Sequence, residues 1–122
     1  MKVGIIGSGF GRYAVEPIYK KLGFDVELVT PRDAAAVDKL LSSKLDLVSI
    51  HSPPFMHYDH VMKAFDRGIP VLCDKPFGRN LKEARAMRDR AKKEGHLNFL
   101  NLKVRLKPSY AKLIEVARSG TA

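Results

Sequence analysis

The stretch KVGIIGSGFGR (2–12) decides the fold, because it joins an unbroken apolar run to a loop that contains three glycines. An unbroken apolar run is typical of a strand that is buried on both faces of a parallel sheet. Where such a strand turns directly into a helix, the helix N–H groups and the positive end of the helix dipole meet, and phosphate binds there. The stretch therefore predicts a strand, a phosphate-binding turn and a helix in succession.

The three glycines have different expected roles in this turn. Gly7 permits the tight turn, and Gly9 lets the backbone approach a diphosphate without a Cβ in the way. Arg12 stands where the G-x-G-x-x-G/A pattern has its third small residue, so either Arg12 points outward or Gly11 makes the close contact between helix and strand. The candidate cofactor contacts in this loop are Gly7, Ser8, Gly9, Phe10, Gly11 and Arg12.

Beyond the turn, short β-branched runs alternate with amphipathic stretches along the whole chain. Strands are predicted at 2–7, 24–30, 45–50, 69–73 and 97–106, and helices at 10–22, 32–43, 56–68, 80–95 and 108–120. For the fifth strand, the sequence leaves open that its apolar run continues past the strand into a loop. Five strand–helix repeats predict a Rossmann-type α/β fold, which is a doubly wound parallel sheet with helices on both faces. No linker interrupts the pattern, so we expect residues 1–122 to form one nucleotide-binding domain.

Single residues mark several of the helix ends. Asp33 and Asn80 are predicted N-caps, and Asn80 stands in capping-box spacing with Glu83. Gly68 is expected to end the third helix. Pro17 lies inside the first predicted helix, where its missing N–H predicts a kink or a broken first turn.

The end of the second predicted strand bears on which dinucleotide is bound. NAD-preferring domains place an acidic residue there, which hydrogen-bonds the adenosine ribose. The stretch VTPRD (29–33) instead offers Thr30 and Arg32 before any carboxylate, and a guanidinium would pair with a 2′-phosphate. We therefore predict NADP as the preferred cofactor and count Thr30 and Arg32 as cofactor contacts. In the alternative, Arg32 is solvated and Asp33 turns to the ribose of NAD.

Composition and charge limit the other classes of function. The formal net charge is +9, but the basic residues are scattered, and their densest group, between 79 and 93, alternates with apolar residues of a predicted helix. A solvated helix face explains that pattern better than nucleic-acid binding does. No apolar stretch is long enough to cross a bilayer, and the N-terminus lacks the pattern of a signal peptide. With Cys73 as the lone cysteine, these features predict a cytoplasmic protein.

Three histidines lie close together in the sequence, at His51, His57 and His60. Their spacing matches no common zinc pattern, and no second cysteine or pair of carboxylates accompanies them. We therefore expect no metal, and we expect His60 to be a packing residue.

The stretch from 52 to 87 is the most specific part of the chain. It holds Ser52-Pro53-Pro54 and His57, then Ala64, Gly68, Val71 and Cys73, then Asp74-Lys75-Pro76, and finally Asn80-Leu81. These residues resemble the glucose–fructose oxidoreductase, inositol dehydrogenase and MocA (Gfo/Idh/MocA) family. Further on, RLKPSYAKLIEVARSG (105–120) resembles a later family segment, which places Arg105 and Pro108.

The resemblance implies roles for several residues. Lys75 would contact the substrate hydroxyl or carbonyl and the nicotinamide ribose, and Asp74 would orient Lys75; these two are the candidate catalytic residues. Pro76 would fix the loop, with a cis peptide bond as an option. The cofactor contacts that the resemblance adds are His51, Ser52, Pro53, Pro54, His57, Lys75, Pro76 and Arg105. Asp74 departs from the family's usual Glu, because its side chain is one methylene shorter.

The activity implied by the resemblance is hydride transfer between NADP or NAD and a sugar, a polyol or a related small molecule. Family members carry a second α/β domain that holds the substrate pocket, and they often pair through it. We therefore expect the full-length protein to form a homo-oligomer, and this domain to be a monomer or a dimer that is inactive alone. The alternative is a dinucleotide-binding module, or a truncated product, without turnover.

Overall fold

The computed structural model describes residues 1–120, apart from the side chains of residues 103 and 105. Its strands are β1 Lys2–Ile6, β2 Asp25–Val29, β3 Leu47–Ile50, β4 Val71–Asp74 and β5 Asn98–Asn101. They form a parallel sheet in the order β2-β1-β3-β4-β5. The chain passes from β1 outward to β2 and returns past β1 to β3, so the switch point lies between β1 and β3. This order belongs to doubly wound sheets, whose ligands bind at such a point. The predicted fold class is confirmed.

Helices connect and follow the strands. A π-helical turn, Gly11–Val15, leads into the first α-helix. The α-helices are α1 Glu16–Lys21, α2 Ala34–Ser42, α3 Pro54–Phe65, α4 Leu81–Glu94 and α5 Pro108–Ser119, and a 3-10 helix spans Lys103–Leu106. Among residues 1–120, no helix has the length and the apolar character that crossing a membrane requires.

The first helix is divided at Pro17, as its sequence predicts. The Glu16 N–H donates to the carbonyl of Gly11, five residues back, which closes a π turn. Pro17 has no N–H, so the carbonyl of Tyr13 lacks its ordinary α-helical donor. Regular α-helix therefore begins only at Glu16, with the proline in its first turn. The predicted broken first turn is confirmed.

The predicted helix caps are present. The Asp33 carboxylate accepts from the Ala36 N–H at 3.0 Å, and the Asn80 amide oxygen accepts from the Glu83 N–H at 2.9 Å. Gly68 has a φ of +66°, and the next N–H, that of Ile69, donates to Ala64, which closes a Schellman motif after α3. These short-range signals therefore fix the helix ends to within a few residues.

Several element bounds differ from the sequence-based expectation, and two of these differences have a clear physical reason. α3 begins at Pro54, two residues before the predicted start, because a proline fits the first helical position without losing a hydrogen bond. β5 ends at Asn101 and not at 106, because the Leu102 N–H turns back to the carbonyl of Leu100 at 2.8 Å and leaves the ladder.

The two faces of the sheet are covered unequally. On one face, apolar side chains of the central strands pack against α2, α3 and α4 in a continuous core. This core includes Ile6, Val37, Leu40, Val48, Ile50, Val61, Phe65, Val71, Cys73 and Met87. The other face carries α1, whose preceding turn places Gly11 over Ile5. There Phe99 of β5 is 59% exposed, and no residue of α5 is buried.

Candidate functional site

A cleft of about 390 Å³ opens at the switch point, outside the carboxyl ends of β1 and β3. Its lining residues come from the glycine turn, from the end of β2 and from the loop after β3. They are Ser8, Gly9, Thr30, Pro31, Arg32, His51, Ser52 and Pro53. All of these except Pro31 are predicted cofactor contacts, so three separate stretches of sequence meet at one place.

The glycine turn is shaped by two close approaches and one open position. A Cβ at Gly7 would lie 2.8 Å from the carbonyl oxygen of His51, and a Cβ at Gly11 would lie 3.0 Å from Cγ2 of Ile5. A Cβ at Gly9 would meet no protein atom within 4 Å. Gly9 therefore leaves room beside the cleft for a ligand, while the other two glycines are required by the fold itself.

Arg12 is exposed, and Gly11 is buried. Both options that the sequence left open are therefore realised together. The arginine points outward, and the glycine one position earlier makes the close helix–strand contact that the third small residue usually makes.

The end of β2 presents an arginine and a hydroxyl to the cleft. The Thr30 hydroxyl lies 3.4 Å from the Ser8 hydroxyl, so the second strand and the glycine turn meet there. The Asp33 side chain caps α2 and is absent from the cleft lining, whereas Arg32 is exposed within it. Arg32 is therefore the charged residue among those that line this cleft.

His57 connects the two loops that border the site. Its Nδ1 lies 2.7 Å from the carbonyl oxygen of Pro76, and its Nε2 lies 2.7 Å from the carbonyl oxygen of Ser52. The side chain is 1% exposed. His57 thus reaches the candidate site through the backbone of both loops and has no open ring nitrogen to offer a ligand in this conformation.

His60 lies one helical turn further along α3, where its Nδ1 meets the Ser52 hydroxyl at 3.0 Å. It is 5% exposed, in keeping with the packing role predicted for it. Burial lowers the pKa of His60, and the nearby Lys63 ammonium lowers it further. The neutral ring therefore holds the Ser52 hydroxyl at the base of the cleft.

The turn after β4 carries Lys75 at the same edge of the sheet. The Lys75–Pro76 peptide bond is cis, which is the option that the sequence left open. The Lys75 N–H donates to Oδ1 of Asp74 at 2.9 Å, and the Asn101 amide donates to the same oxygen at 3.4 Å. The Lys75 side chain is exposed, so its ammonium is available to a ligand.

His51 links this turn to the interior of the sheet. Its Nδ1 lies 3.4 Å from Oδ2 of Asp74, and its Nε2 lies 2.8 Å from the Ser49 hydroxyl. The Tyr19 hydroxyl donates to the Ser49 oxygen at 3.2 Å. Burial lowers the pKa of His51, and the Asp74 carboxylate opposes that effect. Sequence reasoning missed Tyr19, Ser49 and Asn101, although Ser49 on β3 and His51 directly after it are two residues apart in extended backbone and so share a face.

Some predicted residues lie outside the cleft lining. Lys75 and Pro76 sit on the neighbouring turn, and Phe10 packs its ring at 5.8 Å from the ring of His51. The side chain of Arg105 lies outside the described part of the chain, so its cofactor contact stays a prediction. Among residues 1–120, no group of three His, Cys, Asp or Glu side chains is placed to hold a metal ion.

The sheet order and the position of the cleft define the class of doubly wound nucleotide-binding domains. Comparison with known proteins specifies this class further. A family model described as "Oxidoreductase family, NAD-binding Rossmann fold" matches residues 24–102. The chain therefore belongs to the Gfo/Idh/MocA oxidoreductase family, of which it is a domain with the NAD-binding Rossmann fold.

Individual relatives cover most of this chain but only a minor part of their own length. The alignment with D-glucoside 3-dehydrogenase of Escherichia coli (strain K12) is 114 positions long at 33% identity, and it covers 78% of this chain and 32% of the relative. The alignment with inositol 2-dehydrogenase of Arthrobacter sp. (strain FB24) is 138 positions long, gaps included, at 28% identity, and it covers 97% of this chain and 41% of the relative. The chain thus spans about a third to two fifths of the length of these relatives.

Solved structures support the fold over nearly the whole chain. A dehydrogenase from Clostridium difficile superposes with a TM-score of 0.80 at 21% identity, covering 93% of this chain and 43% of that one. At this level of identity the likeness shows the fold alone.

Proposed function

We propose that this chain binds NADP(H) in preference to NAD(H) and is the cofactor-binding part of an oxidoreductase that acts on a sugar, a polyol or a related small molecule. The observation that carries the proposal is the cleft at the switch point, where the glycine turn, Arg32 and the loop after β3 meet. The names of the relatives, a D-glucoside 3-dehydrogenase and an inositol 2-dehydrogenase, support the sugar and polyol class.

The residues of the cleft suit a dinucleotide. At Gly9, the space that a Cβ would fill is open, so a diphosphate can approach the backbone there. The hydroxyls of Ser8 and Thr30 can donate to phosphate or ribose oxygens. Arg32 adds a guanidinium that would pair with a 2′-phosphate in a charge-assisted contact. That group distinguishes NADP from NAD, so Arg32 favours NADP.

The turn after β4 provides Lys75, the group that would hydrogen-bond to the reacting oxygen of the substrate. A bound nicotinamide supplies the hydride chemistry, and the protein orients the reactants and stabilises charge. We assign to the exposed Lys75 ammonium the hydrogen bond to the reacting oxygen, which stabilises negative charge as it develops there. Asp74 holds the Lys75 N–H and so sets the direction of this turn.

The test is titration of the chain with NADPH and with NADH, followed by nicotinamide fluorescence, for the wild type and for Arg32→Ala. We expect the substitution to weaken NADPH binding about tenfold or more, because a charge-assisted contact is lost, and to change NADH binding little. The matched control is Lys39→Ala, which removes an exposed cation of α2 outside the cleft lining. Equal losses for both cofactors would contradict the role of Arg32, and no binding of either would contradict the proposal as a whole.

A second candidate function is dinucleotide binding without turnover. Binding of NADPH without its oxidation in the presence of a panel of aldoses, ketoses and inososes would support this second function for the 122-residue chain. Oxidation by the 122 residues alone would exclude it.

A further inference from the structure

A row of hydrogen-bonded side chains runs beneath the cleft, from α1 to the turn that carries Lys75. Its members are Tyr19 on α1, Ser49 on β3, His51 just after β3 and Asp74 at the end of β4. Ile50 pairs with Cys73 in the sheet, so the residues that follow them, His51 and Asp74, are neighbours across the two strands. The row therefore follows from the register of the sheet.

The donors and acceptors along the row have one consistent direction. An ionised carboxylate only accepts, so Nδ1 of His51 carries the hydrogen that faces Oδ2 of Asp74. The Nε2 atom of a neutral ring then accepts from the Ser49 hydroxyl at 2.8 Å, and the Tyr19 hydroxyl donates to Ser49 in turn. Every O–H and N–H thus points toward the Asp74 carboxylate.

The order Asp–His–Ser is also that of a hydrolase triad, but the surroundings exclude a nucleophilic serine here. Ser49 is 0% exposed, and its oxygen is engaged by both Tyr19 and His51. A nucleophile must reach a carbonyl carbon of its substrate, and this hydroxyl has no path to one. The row therefore acts on Asp74, which is its half-buried end.

The carboxylate of Asp74 divides its two oxygens between the row and the lysine turn. Oδ2 faces His51, while Oδ1 accepts from the Lys75 N–H at 2.9 Å and from the Asn101 amide at 3.4 Å. Rotation of this carboxylate would break the contact with Lys75. The imidazole of His51 reaches across to a carboxylate that is one methylene shorter than Glu, and so holds it in place.

We propose that Tyr19, Ser49 and His51 orient the Asp74 carboxylate and thereby hold the Lys75 turn, which makes His51 a positioning residue. The consequence for catalysis rests on the function proposed above for Lys75. Besides Ser49, three groups lie close enough to His51 to act on its ring. They are the Asp74 carboxylate from β4, the His57 ring from α3 and the Phe10 ring from the glycine turn. The lowered pKa of His51 agrees with a neutral ring in this row.

The first test is the tautomer of His51, read from the ring 15N shifts of the uniformly labelled chain. We expect hydrogen on Nδ1 and a bare, hydrogen-bonded Nε2 at pH 7. Asp74→Ala removes the acceptor and should redistribute hydrogen between the two nitrogens, while Tyr19→Phe should shift only the Nε2 signal. A wild-type ring with hydrogen on Nε2, or signals that ignore Asp74→Ala, would overturn the proposal.

The second test is hydrogen exchange at the Lys75 backbone amide. His51→Ala should speed this exchange about tenfold, because the carboxylate that accepts the N–H is then free to rotate. The matched control is His96→Ala, which removes a histidine that pairs with Glu94 at the opposite end of the sheet and should leave Lys75 unchanged. Unchanged exchange at Lys75 in His51→Ala would also overturn the proposal.

Rescue separates an orienting role from simple packing. In the variant His51→Asn, the side-chain amide N–H stands near the position of Nδ1 and can still donate to Asp74, so we expect the protection of the Lys75 amide that His51→Ala loses to return. Loss of packing alone would not be repaired by that change. If His51→Ala does not fold, Tyr19→Phe removes one hydroxyl and gives the same readouts with smaller changes.

Neither test uses a dinucleotide, so the two proposals fail separately. If His51 and Lys75 give the expected signals but the chain binds neither NADPH nor NADH, the proposed function is contradicted and the orienting role of the row is supported. If the chain binds cofactor but Lys75 exchange is unchanged in His51→Ala, the orienting role is contradicted and the proposed function is supported.

Discussion

The two faces of the sheet differ in what they contribute, because one is packed with apolar side chains and the other carries polar ones near the candidate site. The face toward α2, α3 and α4 is filled with apolar side chains, and Leu40, Val48 and Ile50 among them have no exposed surface. The face toward α1 instead carries polar side chains at the carboxyl ends of the strands, namely the row from Tyr19 to Asp74 and Asn101. On the same face, Phe99 of β5 is exposed. The unfolding free energy should therefore come mainly from one face, while the chemistry of the candidate site comes from the other.

The largest expected effect is a loss of stability from a substitution on the face of the sheet that packs against α2, α3 and α4. Leu40→Ala removes a side chain that is 0% exposed, and should lower the free energy of unfolding by about 2–5 kcal/mol through lost burial and the cavity left behind. Phe99→Ala, on the open face, should lower it by well under half of that amount, because the ring is already 59% exposed. Urea denaturation of the two variants measures the difference. Equal losses would show that the two faces contribute alike.

A smaller effect on stability is expected from substitutions at two glycines of the same turn. Gly11→Ala puts a Cβ 3.0 Å from Ile5, and should cost about 1–3 kcal/mol of stability through overpacking. Gly9→Ala meets no protein atom within 4 Å, so stability should hold while dinucleotide binding weakens. Thermal unfolding and cofactor titration of both variants give the two readouts. A stable Gly9→Ala variant with unchanged NADPH binding would contradict the placement of the diphosphate.

The smallest effect concerns pH. Burial holds the pKa of His51 and of His60 below the ordinary value of 6.5, so the unfolded chain binds more protons than the folded chain just below that pH. The stability that these neutral rings contribute is complete above pH 6.5 and is lost as the pH falls from there toward their lowered values. His51→Gln should flatten this part of the stability–pH curve, measured by denaturant midpoints. A curve parallel to that of the wild type would show that His51 does not contribute to it.

Local signals in the sequence predicted most of the fold. The glycine turn, the caps at Asp33 and Asn80 and the break at Pro17 each depend on residues within a few positions of one another. The end of β5 was predicted too late, because the turn at Leu102 depends on backbone geometry and not on residue type. Predictions of this kind succeed where the interacting residues are close to one another in the sequence.

The candidate site was predicted only in part, for the same reason. Seven of its cleft residues stand in recognisable patterns, but the row through Tyr19 and Ser49 depends on strand register and on where α1 crosses the sheet. The contact from Tyr19 to Ser49 spans 30 positions, and that from His51 to Asp74 spans 23. A side chain such as Tyr19 carries no sequence signal for a partner so far away.

The contacts of His57 have a consequence for how a ligand would be received. One imidazole ties the backbone of the cleft wall, at Ser52, to the backbone of the lysine turn, at Pro76. The two halves of the binding surface are thus braced against each other before anything arrives. Less conformational entropy then has to be surrendered on association, and preorganisation of this kind strengthens binding without adding a single contact.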